Sequence, residues 1–147
     1  MKTTIEIVDA TLEEQATFKI HQLSPTIEKV LGILKEEEHF LIGEAKNALY
    51  KISFSDILYI EVVDKRSFIY TAKQVYQSND KLYQLEERLI PFDFIRVSKS
   101  MLLNIEAIQA ISPLLSGRFE ARLTNEEKVA ISRKYVPELK KGLGMER

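Results

Sequence analysis

The chain has 147 residues, which is the size of one ordinary domain. Hydrophobic residues make up 45% and charged residues 29% of it, a globular composition that excludes a disordered or collagen-like chain. It contains no cysteine, which excludes disulfides, thiolate zinc sites and cysteine nucleophiles and suits a cytoplasmic protein. No apolar run approaches the roughly 20 residues needed to span a bilayer.

Charge is unevenly distributed along the chain. Residues 1–45 contain four lysines and nine acidic residues, a net charge of −5. Residues 46–147 contain the other 17 Lys and Arg and 13 acidic residues, a net charge of +4. The basic second part is compatible with a nucleic-acid partner.

The first 45 residues have the pattern of a small strand–strand–helix unit. Apolar and polar residues alternate in Thr3–Val8 and in Ala16–His21, as in half-buried strands. Ser24 and Pro25 form a typical helix start, and an apolar stripe follows that predicts a helix to about Glu38. Such a unit is too small to close a core of its own.

From Phe40 onward the pattern is mostly that of β-strands. A helix is predicted over Asn79–Ile90 and another over Arg133–Leu143, and Ser100–Ile105 reads as an apolar turn or short helix. The predicted strands are Phe40–Glu44, Leu49–Ile52, Ile57–Val63, Phe68–Ala72, Gln74–Gln77, Phe94–Val97, Ala107–Ser112, Arg118–Leu123 and Val129–Ser132.

Signals for catalysis or metal binding are weak. Glu36 and His39 have the spacing of half a carboxylate–histidine metal site, but the sequence holds no second copy. No serine lies in a nucleophile-elbow context. We therefore expect no enzyme activity, no metal, no cofactor and no small-molecule substrate.

Three short polar segments interrupt the strands. Each combines hydroxyl groups with cationic groups, which are the side chains that bind phosphates and read guanine. A polar turn between buried strands explains any one of them singly, whereas three of the same composition favour anion binding. The segments are Asp64-Lys65-Arg66-Ser67, Arg96-Val97-Ser98-Lys99-Ser100 and Ser132-Arg133-Lys134-Tyr135.

At these segments the sequence resembles the LytTR-type DNA-binding domains. Asp56–Glu61 is similar to their opening signature, Phe94–Asn104 to their central motif, and Ile131–Tyr135 with Leu139 and Lys140 to their closing motif. The leucines and Glu86 of the predicted helix at 79–90 resemble the helix between the first two motifs. The resemblance covers about two-thirds of the chain, roughly residues 46–143.

The resemblance implies a mainly β fold with short helices. It predicts an elongated antiparallel β domain over residues 46–147, preceded by the small β-β-α unit of residues 1–45. In that family loops grip the DNA, so base contacts are expected at Lys65, Arg66 and Ser67, at Lys99, and at Arg133 or Lys134. Phosphate contacts are expected at Arg96, Ser98 and Ser100.

The resemblance also suggests partners. The chain is similar to the short branch of the family that lacks a receiver domain, which implies a bacterial transcriptional regulator that binds duplex DNA as a homodimer. Residues 1–45 are a candidate dimerisation unit, and a small membrane protein encoded nearby is a further suggested partner. The alternative is a β-rich protein-interaction or small-ligand-binding module without DNA affinity.

Overall fold

The computed structural model describes residues 1–34 and 39–145. The chain divides into two compact units, residues 1–35 and 36–147. The sequence placed this division at residue 45 instead. The difference arises because Phe40–Ala45 forms a strand that pairs within the sheet of the second unit.

In the first unit, helix α1 (Pro25–Leu34) begins as predicted, with the Ser24 hydroxyl accepting a hydrogen bond from the Ile27 amide at 3.2 Å. Its predicted extension to Glu38 lies outside the described residues. The predicted strands at 3–8 and 16–21 were wrong, because residues 1–24 contain no strand. Ile5 and Ile7 are 91% and 96% exposed. Alternation marks a strand only when a neighbouring strand satisfies its backbone groups.

The described part of the second unit, residues 39–145, contains ten strands and two α-helices. Helices α2 and α3 are Leu82–Leu89 and Val136–Gly142. Among the described residues, no helix is both long and apolar enough to cross a membrane. Strands β1 to β10 are Phe40–Ala45, Ala48–Ser53, Ile57–Val63, Arg66–Thr71, Val75–Ser78, Phe94–Ser98, Met101–Asn104, Ile108–Pro113, Phe119–Leu123 and Lys128–Ile131.

The strands form two sheets, and neighbouring strands in both are antiparallel. The larger sheet has seven strands in the order β2-β1-β5-β4-β3-β7-β6, and the smaller has three in the order β10-β9-β8. The predicted mainly β, antiparallel architecture with short helices is confirmed. One local prediction was wrong, because Met101–Asn104 is strand β7 and not a turn or short helix.

The β1–β2 and β3–β4 hairpins are closed by tight turns with left-handed backbone. Lys46 and Asn47 have φ values of 51° and 63°, and Asp64 and Lys65 have 51° and 64°. Positive φ at both central residues is the type I′ geometry, which matches the twist of paired strands. Asn47 and Asp64 tolerate this conformation better than most residues do, so the local sequence accounts for one of the two central residues of each turn.

The larger sheet is buried on both faces where β3, β7 and β6 lie side by side. Helix α2 covers one face, where it shares a core with sheet residues such as Ile60 and Leu102. The smaller sheet and α3 cover the other face, where Leu103 and Val97 are fully buried. Burial on both sides explains why β3 reads as a continuous apolar run rather than an alternating one.

Two buried polar side chains fasten this core. The amide nitrogen of Asn104 donates to the Ile57 carbonyl at 2.9 Å, and its oxygen accepts from the Glu106 amide at 3.0 Å. The Tyr59 hydroxyl donates to Glu127 Oε2 at 2.8 Å, which ties the larger sheet to the turn between β9 and β10. Burial is the main cause that raises the pKa of Tyr59, and the bond to Glu127 adds to it.

Candidate nucleic-acid interface

The first polar segment is the turn between β3 and β4. Lys65 and Arg66 are exposed there. Ser67 is only 5% exposed, and its hydroxyl donates to the main-chain carbonyl of Asp80 at 2.8 Å. The two cations therefore face solvent, while Ser67 fastens the start of β4 to the segment before α2.

The second segment is the turn between β6 and β7. Lys99 is exposed at its tip, between the half-buried Ser98 and Ser100. The Ser100 amide donates to the Ser98 hydroxyl oxygen at 3.2 Å, and the two hydroxyl oxygens lie 3.5 Å apart. A side chain-to-backbone bond of this kind stabilises a tight turn, so Lys99 projects from a well-defined backbone.

Arg96 belongs to the same segment but lies along the sheet beside α2. Its Nε and Nη2 atoms donate to the two carboxylate oxygens of Glu86 at 3.1 and 3.3 Å, and its Nη1 donates to the Lys99 carbonyl at 2.6 Å. The guanidinium is thus engaged on three sides by the protein itself. Its observed contacts support the turn rather than present a charge to solvent.

The third segment follows β10 as a 3₁₀ turn, Arg133–Tyr135. Arg133 and Lys134 are exposed in it, and the Lys134 ammonium lies 5.4 Å from the centre of the Tyr135 ring. The Arg133 side chain passes over Gly117, where an added Cβ would lie 2.8 Å from Arg133 Cδ. Glycine leaves the room that this side chain needs.

Two backbone hydrogen bonds bring the three segments together. The Val62 amide, near the end of β3, donates to the Ser100 carbonyl at 2.8 Å. The Ser132 amide donates to the Val97 carbonyl at 2.9 Å. Because β3 and β6 both run toward this end of the larger sheet, the three segments form one continuous edge. We call it the loop edge.

One cation of the loop edge was missed by sequence reasoning. Arg118 is exposed in the loop between β8 and β9, and its Nε donates to the Leu115 carbonyl at 3.4 Å. The register of β9 and β10 pairs Phe119 with Ile131, so Arg118 comes next to the third segment. The signal available in the sequence was Gly117, because glycine is typical of turns. In the structure its φ is +75°.

The loop edge therefore concentrates positive charge. The exposed cations on it are Lys65, Arg66, Lys99, Arg118, Arg133 and Lys134. Asp64 is an exposed acid beside them, so the segments contribute a clear excess of cations. Duplex DNA carries a phosphate charge about every 1.7 Å of its axis, and clustered Lys and Arg are the groups that neutralise such a surface.

Known proteins share this fold. A family model for the LytTr DNA-binding domain matches residues 47–144. The chain belongs to the LytTR family. The LytTr DNA-binding domain of a methyl-accepting/DNA response regulator from Bacillus cereus has a similar fold, with a TM-score of 0.68 and 25% identity over 72% of this chain and 97% of that domain. LytTR domains are DNA-binding modules and not an enzyme family.

One relative is longer than this LytTR chain, and another matches it over nearly its whole length. It is 32% identical to the sensory transduction protein LytT of Enterococcus faecalis, over 69% of this chain and 42% of that protein. The chain thus spans less than half of that relative. An uncharacterized HTH-type transcriptional regulator of Staphylococcus aureus is 25% identical over 90% of this chain and 92% of its own length.

Proposed function

We propose that this chain is a transcriptional regulator that binds duplex DNA sequence-specifically through the loop edge. The observation that carries the proposal is the meeting of three basic segments within a LytTR domain, joined by the Val62–Ser100 and Ser132–Val97 hydrogen bonds. The three described α-helices are separated from one another by strands, so exposed cationic loops are the better candidates for groove contacts than a paired recognition helix.

Individual side chains take different roles in this proposal. Lys99 and Lys134 read base edges, because each lies exposed at the tip of a turn and lysine donates to guanine O6 and N7. Lys65, Arg66 and Arg133 flank them. The hydroxyls of Ser98 and Ser100 donate to phosphates on either side of Lys99. Ser67 and Arg96 stabilise the loops instead, through the bonds of Ser67 to Asp80 and of Arg96 to Glu86 and the Lys99 carbonyl.

Selection of bound sequences from a random duplex pool tests the proposal. We expect a preferred sequence, and we expect Lys99→Ala and Lys134→Ala to lower affinity for it by about 1–3 kcal/mol each and relax preference at one base position. Ser100→Ala removes a hydroxyl but keeps the backbone bonds of the turn, so it should weaken all sequences alike. A chain that retains no DNA at low salt contradicts the proposal and favours a protein-interaction or ligand-binding module.

We also propose that the first unit mediates self-association, so that a homodimer engages paired half-sites. The support is its exposed apolar surface: Ile5 and Ile7 are almost fully exposed, and α1 leaves Ile33 and Leu34 43% and 51% exposed. Burial of such side chains stabilises association by about 1.5–3 kcal/mol each when complete. A regulator of this kind works in the cytoplasm, and a nearby membrane protein stays a predicted partner.

Sedimentation of the full chain and of a chain beginning at His39 tests the dimer. We expect a dimer and a folded monomer, respectively, and we expect the shorter chain to bind one half-site weakly. A monomeric full chain, or a shorter chain that stays dimeric, contradicts the proposal. A shorter chain that unfolds assigns the first unit to stability instead.

A further inference from the structure

Glu86 on helix α2 is joined to the tip of the β6–β7 turn through a single side chain. The Arg96 guanidinium binds both Glu86 carboxylate oxygens, at 3.1 and 3.3 Å, and also the Lys99 carbonyl, at 2.6 Å. The Arg96 and Glu86 side chains are 22% and 31% exposed. A two-pronged, charge-assisted contact of this kind fixes geometry as well as contributing energy.

The turn is held from its other side as well. The Ser100 carbonyl accepts from the Val62 amide at 2.8 Å, and the Ser100 amide donates to the Ser98 hydroxyl oxygen at 3.2 Å. Consecutive carbonyls of the turn are thus bound by different parts of the fold, one by the Arg96 side chain and the next by the backbone of β3. The two peptide planes that follow Lys99 are therefore fixed, while the Lys99 side chain is exposed.

Helix α2 gives this contact a rigid base. Its leucines Leu82, Leu85 and Leu89 are buried in the core beneath the larger sheet. Glu86 follows Leu85 directly, so its carboxylate is held in place by a packed helix. The Coulombic attraction and the hydrogen bonds then place Arg96, and Arg96 places the Lys99 carbonyl.

We propose that Glu86 is a positioning residue for DNA recognition: acting through Arg96, it sets the direction of Lys99 and thereby base preference, without touching DNA. The proposal rests on the proposed function of the loop edge. Readout of a base edge requires a donor placed within a few tenths of an ångström, whereas phosphate attraction tolerates looser placement. Loss of Glu86 should therefore affect preference more than general affinity.

The competing role for Arg96 is direct neutralisation of a phosphate. It predicts that removal of the Glu86 charge strengthens DNA binding. If Arg96 bound phosphate, removal of the Glu86 charge would release the guanidinium and strengthen binding to every sequence. If Arg96 positions the turn, the same change loosens Lys99 and reduces only discrimination. The salt dependence of binding separates the two roles further, since a lost phosphate contact lowers its slope by about 0.9.

The test compares Glu86→Gln with Glu87→Gln in the full chain. Glu87 is the next residue of α2 and is exposed, so the control removes the same charge from the same helix. Both are titrated with the sequence selected by the wild type and with duplexes changed one base at a time. We expect Glu86→Gln to lose about fivefold or more of the discrimination at one base position, and Glu87→Gln to lose none.

Arg96→Lys gives an independent reading, because lysine keeps the charge but lacks the fork that joins Glu86 to the Lys99 carbonyl. It should reproduce the loss of discrimination with an unchanged salt slope, and circular dichroism verifies that each variant is folded. Equal discrimination in Glu86→Gln and Glu87→Gln, or tighter binding of every duplex by Glu86→Gln than by Glu87→Gln, overturns the positioning role alone. A wild type that selects no sequence overturns the proposed function with it.

Discussion

Salt dependence of DNA binding gives the most direct measure of the loop edge. Six exposed cations lie on it. If four to six of them contact phosphates in each protomer, the log–log slope of affinity against salt is about −4 to −5 per protomer. A rise from about 50 to about 200 mM salt then lowers the affinity of each protomer roughly 10²- to 10³-fold.

Paired charge removals locate this effect on the molecule. Arg118→Ala removes a cation from the loop edge, whereas Lys73→Ala removes an exposed one from the turn between β4 and β5, at the opposite end of β4. Because each phosphate contact releases condensed counterions, Arg118→Ala should flatten the slope by about 0.9. Lys73→Ala should leave it unchanged.

Fluorescence anisotropy of a labelled duplex at several salt concentrations measures both slopes. A wild-type affinity that does not change with salt would refute the electrostatic reasoning as a whole. Equal slopes for Arg118→Ala and the wild type would remove Arg118 from the interface. A flatter slope for Lys73→Ala would show that DNA contacts the end of the sheet opposite the loop edge, which contradicts the proposed interface.

Three further substitutions test the close approach at Gly117 and the hydrogen bonds of Asn104 and Tyr59 in the core. Gly117→Ala should destabilise the fold by about 1 kcal/mol and weaken DNA binding several-fold, because φ is +75° and the new Cβ would displace Arg133; calorimetry and anisotropy check it. Asn104→Ala should lower the free energy of unfolding by about 1–3 kcal/mol, measured with urea, because the Ile57 carbonyl and the Glu106 amide lose their partner. Tyr59→Phe should cost about 1–2 kcal/mol through the lost bond to Glu127. In the wild type the raised folded pKa of Tyr59 implies that stability holds below pH 10 and falls above it, as the unfolded tyrosine ionises first; Tyr59→Phe should weaken that fall.

Local patterning was sufficient for most elements of the second unit. Alternating or continuous apolar runs indicated nearly every strand. Asp64 is a residue type that favours the turn between β3 and β4. In the first unit, Ser24 and Pro25 indicated the start of α1. These features depend on backbone preferences and side-chain periodicity, which act over a few residues.

Local patterning failed where pairing depends on distant residues. Residues 3–8 alternate like a strand but have no ladder, whereas Met101–Asn104 lacks alternation and pairs with β3 and β6 on its two sides. A strand exists only when another strand satisfies its amides and carbonyls. Which segments become neighbours is settled by the whole core, so neither outcome is visible in a short window.

The same distinction holds for the loop edge. Residue types alone indicated three cationic segments, but their meeting depends on the order of β3, β7 and β6 and on the bond from Ser132 to Val97. Packing also placed Arg96 and Ser67 in hydrogen bonds within the protein and brought Arg118 to the edge. The sequence determines which charged and hydroxyl side chains each segment carries. Contacts between residues far apart in the chain decide where these side chains point and which segments lie next to each other.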